Sequence, residues 1–473
     1  MSTSPPTNSK TKPFDRSIVE GPIAAAVWTV AWPTVLQNII GGAQGFIDHA
    51  LVGHLVGYAG NAAVGVSWQI FLVVITFMMS IFTGMGVLVS RYTGMGDAEA
   101  VNHASYQGFI AAIVLALFIL APIGWFASPA LLEIVHAAPD VKANALPYLR
   151  TLFLGSLGMM LGFMISGALR AAGDARTGMR LGISMTVMNI VFNIILIRGL
   201  GPIPALGTMG AALGMILAAT LTSAYGLYRL LGGGWVIHWH KGMDRSFDWA
   251  MIKQLLRFGL PAGIQGVAMN VAGVMLLRFM GALPESGHVQ AVYAVGYSEL
   301  FSFITWTSVG LMGAAATVAG QNLGAGKPHR SIEGVHAANK IGLGIAVFVG
   351  LLFLVMPEFL FRLFGMRDYA SLERGVELLR WLAVSGMFIT TALTYSGGLT
   401  GTGDTKGPMY ISFISQIIIP IGLLELLSAT TTLRPHHIWM AIVIGHFTRA
   451  TLSIWRFRRG KWREIRIEAR ATA

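Results

Sequence analysis

Gln37, Gly41, Gln44 and Asp48 follow one another at i, i+4, i+7 and i+11 inside an apolar stretch, which sets them along one face of a helix. An ionisable side chain against hydrocarbon costs about 2.5–3.5 kcal/mol on insertion scales, so a polar stripe ending in a carboxylate must face protein or water. Loss of water disfavours the charged form of a carboxylate, which suits an aspartate held there to taking up and returning a proton. A second stripe, Thr186, Asn189 and Asn193 at i, i+3 and i+7, supplies amides that can donate to a carboxylate and accept from a carboxylic acid. The other use for such residues is hydrogen bonding between packed helices. Glu299, with Ser302 and Trp306 at i+3 and i+7, is a further acid in an apolar run, placed to bind a cation or to pair with Arg278. Gln265 repeats Gln37 in a later run, and Glu425 lies near the end of its run and reads as interfacial.

Other chemistries lack their residues. The loop Gly401-Thr402-Gly403-Asp404-Thr405-Lys406-Gly407 has neither the spacing nor the final Lys-Ser/Thr of a nucleotide-binding loop. His238-Trp239-His240 and His436-His437 have no companion ligands for a metal. With no cysteine, a disulfide framework or thiolate site is excluded. No Ser/His/Asp arrangement can be drawn at plausible depths. The expectation is a protein that is not an enzyme and uses no cofactor and no metal.

The elements that must position these residues are helices in a membrane. Of 473 residues 54% are hydrophobic and 11% charged, against roughly 25% charged in soluble domains. Spanning the hydrocarbon takes about 20 mostly apolar residues. Such runs lie near 24–49, 61–89, 102–125, 147–170, 179–199, 209–231, 256–281, 291–317, 336–357, 376–401, 408–428 and 437–456. They are continuous, without the alternation of barrel strands. The net charge of +12 comes from Lys and Arg between the runs, the pattern of loops facing anionic headgroups rather than a nucleic-acid surface. Most of that basic charge falls on one side if both termini are cytoplasmic.

The two halves repeat. Gly94-Met95-Gly96 matches Gly324-Ala325-Gly326, Ser166-Gly167 matches Ser396-Gly397, Gly173-Asp174 matches Gly403-Asp404, and Met179 matches Met409, all at an offset of 230. Pro33 and Gln37 match Pro261 and Gln265 at 228, and His103-Ala104 matches His336-Ala337 at 233. Six spans is an even number, so the second half re-enters in the orientation of the first. The expected fold is an all-α membrane protein of twelve transmembrane helices in two parallel six-helix lobes, related by pseudo-two-fold symmetry along the membrane normal. The expected parts are a disordered tail at 1–20, a first lobe at 21–231, a cytoplasmic linker at 232–255, a second lobe at 256–456 and a basic tail at 457–473.

Twelve spans in two parallel halves, with Pro33-x3-Gln37 and Asp48-x4-Gly53 in the first run, resemble the multidrug and toxic compound extrusion (MATE) family. That family lies within the larger multidrug/oligosaccharidyl-lipid/polysaccharide exporter superfamily. Gly320-Gln321-Asn322-Leu323-Gly324-Ala325-Gly326 fits it too, as do Arg170-Ala171-Ala172-Gly173-Asp174 and Gly401 to Lys406. The likeness covers about residues 20–455. It implies export of amphipathic, often cationic compounds driven by inward H+ or Na+, across the cell inner membrane, by a chain that works as a monomer. It makes Asp48 the first-helix aspartate, with Asn189 and Asn193 beside it. One Na+-driven branch has an acid where this chain has Met269, and the tenth run holds no acid beyond Glu377. That departure favours H+ at Asp48, with Na+ as the alternative. Trp28, Trp32, Trp68, Trp306, Trp381, Tyr395 and the 24 methionines could line a substrate route. A related flippase for lipid-linked precursors is the first rival, and a passive channel or receptor the second.

Overall fold

The computed structural model describes residues 12–135, 138–283, 286–366 and 368–467. Its architecture is twelve long helices. They are α1 Ile23–Leu55, α2 Tyr58–Met95, α3 Ala98–Ile134, α4 Pro139–Leu154 with Ser156–Ala171, α5 Ala175–Arg198 and α6 Gly207–Gly232. The second six are α7 Trp249–Gly281, α8 Ser286–Gly324, α9 Pro328–Val355, α10 Tyr369–Gly401, α11 Lys406–Thr430 and α12 Pro435–Arg458. Ten are long and apolar enough to cross a membrane, α4 is an eleventh bent by 50°, and α2 is 38 residues long. Most run beyond the apolar stretches that announce them. A helix continues past hydrocarbon until its backbone is capped, and here the caps are often glycines. Short π-helical turns interrupt three helices, at Leu115–Leu120 in α3, Ala294–Leu300 in α8 and Phe413–Ile418 in α11.

The sequence repeat is a repeat of backbone geometry. Gly96 and Gly326 end α2 and α8 at φ 80° and 72°; Gly173 and Gly403 turn at φ 93° and 98° after α4 and α10. These are left-handed values that glycine adopts without strain. The aspartate after each of the latter two glycines caps the start of the next helix. Asp174 accepts from the Thr177 N–H, and Asp404 from the Gly407 N–H. Both carboxylates are buried and each has a cation. Lys12 reaches Asp174 at 3.5 Å, whereas Arg456 grips Asp404 as a fork at 2.7 and 2.9 Å.

The chain forms two compact units: residues 12–20 and Ile40–Arg257, with Ile467, and residues Gly21–Ile39 with Phe258–Arg466. The division differs from the expected lobes at its start, because the first half of α1 counts with the second unit. Within the first unit α4 and α6 approach through Gly155 and Gly158, where an added Cβ would stand 2.2 Å from Ile216 and 2.4 Å from Thr220. Within the second, Gly397 and Gly401 bring α10 onto the α8 backbone, a Cβ there falling 2.2 and 2.0 Å from the carbonyls of Met312 and Ala316. Small residues three or four apart allow this approach between membrane helices.

The segment expected as a linker is packed. Between α6 and α7 the chain lies on α3: the His238 N–H donates to Asn102, the Trp239 indole to Ser105 and the Gln107 amide to the Ser246 carbonyl. His103 pairs with Asp248 at 3.1 Å and His240 with Glu99 at 2.7 Å. Trp239 is buried edge-on against Tyr106 and Phe109. Partial burial works against the Asp248 charge, but the Met251 N–H and the His103 ring outweigh it and hold its carboxyl below the usual range. Of the tails, residues 1–11 and 468–473 lie outside the described residues. Ser17–Glu20 is a helical turn with Ile18 and Val19 buried, so that part of the expected disordered tail is ordered. Trp462, in the expected basic tail, is buried and stacks on Phe457.

Candidate functional site

In the first unit the second half of α1 carries Gln44 and Asp48, and α5 carries Thr186, Asn189 and Asn193. Helical spacing gives both sets one face, and the faces meet in an unbroken hydrogen-bond chain. The Thr186 hydroxyl donates to Gln44 Oε1 at 2.9 Å, and Gln44 Nε2 donates to Asn189 Oδ1 at 2.6 Å. Asn189 Nδ2 donates to Asn193 Oδ1 at 3.3 Å, and Asn193 Nδ2 donates to Asp48 Oδ1 at 2.8 Å. Every donor points the same way, toward the carboxylate. In a low-dielectric interior, bonds aligned like this polarise one another and converge on the charge at the end. Asn189 and Asn193 are 1% and 0% exposed, Thr186 is buried and Asp48 half-buried. The chain therefore has the depth at which an unmet amide would be costly.

Two residues that sequence reasoning missed shape this site. A Cβ on Gly214 of α6 would come within 2.0 Å of Asn193 Oδ1 and 3.0 Å of its backbone N, so only glycine leaves room for that amide. Tyr148 of α4, 2% exposed, lies within electrostatic reach of Asp48. One glycine among 58 carries no label in a sequence, and the Tyr148 position has no periodic signal of its own. Next to the site His49 and Asn61 are joined at 2.7 Å.

The remaining expected residues lie elsewhere. Gln37 is half-buried in the stretch of α1 that counts with the second unit, and among the described residues no side-chain hydrogen bond ties it to the chain. Gln265 donates to Ser412 at 2.8 Å, joining α7 to α11. Glu299 is half-buried in the π turn of α8, and Arg278 is exposed. Among the described residues no three His, Asp or Glu side chains cluster as metal ligands. Tyr395 is buried against Phe457 and so serves packing.

The family model described as MatE matches residues 33–195 and again 261–424. "Probable multidrug resistance protein NorM" of Thermotoga maritima is 26% identical over 439 residues, covering 92% of each chain. The multidrug resistance protein MdtK of Edwardsiella ictaluri is 24% identical over 450 residues, 92% of this chain and 95% of that one. A solved structure described as the outward-facing conformation of a multidrug resistance MATE family transporter of the MOP superfamily aligns with a TM-score of 0.88. Its identity is 21%, over 96% of this chain and all of that one, a likeness of fold.

Proposed function

The chain belongs to the MatE family of membrane transporters, and from that premise we propose that it exports amphipathic or cationic organic compounds in exchange for H+, with Asp48 as the coupling residue. Its relatives' description as multidrug resistance proteins supports the substrate class. The predominance of Lys and Arg in alternate loops supports a multi-pass chain in the cell inner membrane with both termini cytoplasmic.

The observation that carries the reading is the direction of the hydrogen-bond chain. With Asp48 ionised, Asn193 presents N–H to it, and Asn189, Gln44 and Thr186 follow in sequence. A protonated Asp48 presents a donor instead. Asn193 must then offer its carbonyl, so its amide turns over; Asn189 and Gln44 turn in response, and the Thr186 hydroxyl ends as acceptor. Each amide has the donor and acceptor that this reversal needs. One proton thus reverses each hydrogen bond of this chain, and Pro33, which removes a backbone bond within α1, offers a place for the helix to bend. Proton entry from outside would release substrate outward by alternating access, and proton loss inward would restore the starting state. A charge crossing 100 mV supplies about 2.3 kcal/mol.

Na+ at the same place would need several oxygens turned toward one point. Here the amide oxygens of Asn189 and Asn193 already accept from the preceding donors, which favours the proton. The test is ethidium efflux from reconstituted vesicles under separately imposed H+ and Na+ gradients, with the native chain and Asp48→Asn. Efflux that follows H+ alone and falls about 100-fold, equal to about 2.7 kcal/mol in barrier, supports the reading. Efflux that follows Na+ moves the coupling ion. Unchanged efflux in Asp48→Asn removes Asp48 from coupling, and no efflux under either gradient favours a lipid substrate.

A further inference from the structure

Arg449 sits well inside α12, fourteen residues after Pro435 and nine before Arg458, and is 5% exposed. A guanidinium does not give up its proton in a protein, so this position holds a fixed cation where burial of unpaired charge is severely unfavourable. Its Nε–H meets no acceptor among the described residues. One turn earlier on the same face is His446, 2% exposed, with Nδ1 2.6 Å from the Ser385 hydroxyl. The His446 ring stacks on Tyr297 at 6.4 Å and on Phe301 at 6.0 Å. Tyr297 and His446 both lie within electrostatic reach of Arg449.

Among the described residues no acid pairs with Arg449, and Glu425, the one acid of the neighbouring α11, is exposed. Between Ser385 and Ser396, the α10 residues that bond to α12, the chain carries no charged residue. The single acid in α8 is Glu299, two residues after Tyr297; residues two apart on a helix do not share a face. The polar side chains within electrostatic reach of Arg449, Tyr297 and His446, can each donate a hydrogen bond. If Ser385 donates to Nδ1 of His446, the remaining ring hydrogen is on Nε2, and the Tyr297 hydroxyl is a further donor.

We infer that the second unit contains a binding site for a small monovalent anion, a halide or a carboxylate group, held by Arg449 with Tyr297 and His446. Arg449 and His446 are both buried, which favours an anion that accepts two or three hydrogen bonds and sheds most of its water. The first unit has no counterpart, since the only charged residue of α6 is Arg229 in its last turn. The inference stands independently of the coupling reading.

The experiment is thermal unfolding of the purified full chain in detergent at constant ionic strength, replacing isethionate, a bulky sulfonate, stepwise by chloride or by benzoate. The native chain is expected to gain stability saturably with chloride, with benzoate, or with both. Chloride alone identifies an inorganic site, and benzoate alone the carboxylate of an organic ligand. Arg449→Gln should raise the half-saturating concentration more than tenfold. Tyr297→Phe should raise it several-fold and serves if Arg449→Gln does not fold. Trp439→Phe, on the same helix but about 15 Å away along its axis, should leave it unchanged. A native chain whose unfolding is the same in all three anions overturns the proposal, as does an anion effect that persists at full strength in Arg449→Gln or Tyr297→Phe.

Discussion

At the offsets set by Pro33 and Pro261 in one pair of helices and by Met179 and Met409 in another, only Thr186 of the first unit's polar chain has a polar image in the second, Gln416. Gln44 and Asp48 correspond to Ala272 and Leu276, and Asn189 and Asn193 to Ile419 and Leu423. Leu276 packs against the apolar core that includes Phe279, Phe301 and Trp439. The sixth helices differ in the opposite sense: α6 is uncharged until its last turn, whereas α12 buries His446 and Arg449. The turns, by contrast, agree residue for residue at Gly173-Asp174 and Gly403-Asp404. The frame of the fold is therefore set by glycine geometry and capping, which both units need. The buried polar groups, by contrast, differ from one unit to the other.

The comparison can be broken most severely at Asp48. If position matters as argued, Asp48→Asn stays uncoupled when Leu276→Asp is added; efflux returning under an H+ gradient would show that either unit can host the acid. Next is Asn193→Leu, which installs the second unit's residue. It takes Asn193 from the Asp48 carboxylate and from the Asn189 amide, and each lost buried partner costs about 1–3 kcal/mol. Both thermal stability and H+-driven efflux should fall. Gly214→Ala tests the same amide by crowding, for about 1–3 kcal/mol of overpacking, and unfolding temperature together with efflux checks it.

The shared turn sharpens the comparison further. Arg456→Gln breaks a forked, partly buried pair and should cost about 1.5–3 kcal/mol, whereas Lys12→Gln removes a long contact from an exposed lysine and should cost under about 1 kcal/mol. Equal losses in thermal unfolding would mean the two turns depend on their cations alike. The smallest effect belongs to Asp248. Because its carboxyl is held below the usual range, the stability it adds is present above the ordinary carboxylate value and disappears as pH falls through the lowered one. Native and Asp248→Asn unfolding temperatures should differ at neutral pH and converge only below about pH 4.

The twelve helices were legible because hydrocarbon demands long apolar runs, and the site because few polar residues interrupt them. Asp48, Asn189 and Asn193 could be found by spacing alone. What spacing cannot show is which faces meet. Gln37 shares the stripe of Asp48, yet the helix counts with different units along its length, and the stripe divides between Ile39 and Ile40. Gly214 matters through a neighbour about twenty residues away in sequence. The 232–255 segment read as a linker because its His, Lys and Arg are polar; Trp239 finds its partners on α3, 130 or more residues earlier. The π turns escaped notice because they alter hydrogen-bond register without changing composition.

The repeated Gly-Asp turn has a genetic consequence. Two identical half-length products of one gene must carry the same residue at every position, so an aspartate in one copy is an aspartate in the other. A fused, duplicated coding sequence is released from that constraint. Codon 48 can keep its acid while codon 276 drifts to leucine, and codon 449 can gain arginine with no matching change in the first half. The turns at 173 and 403 stay alike because both halves use the same left-handed glycine and the same aspartate cap.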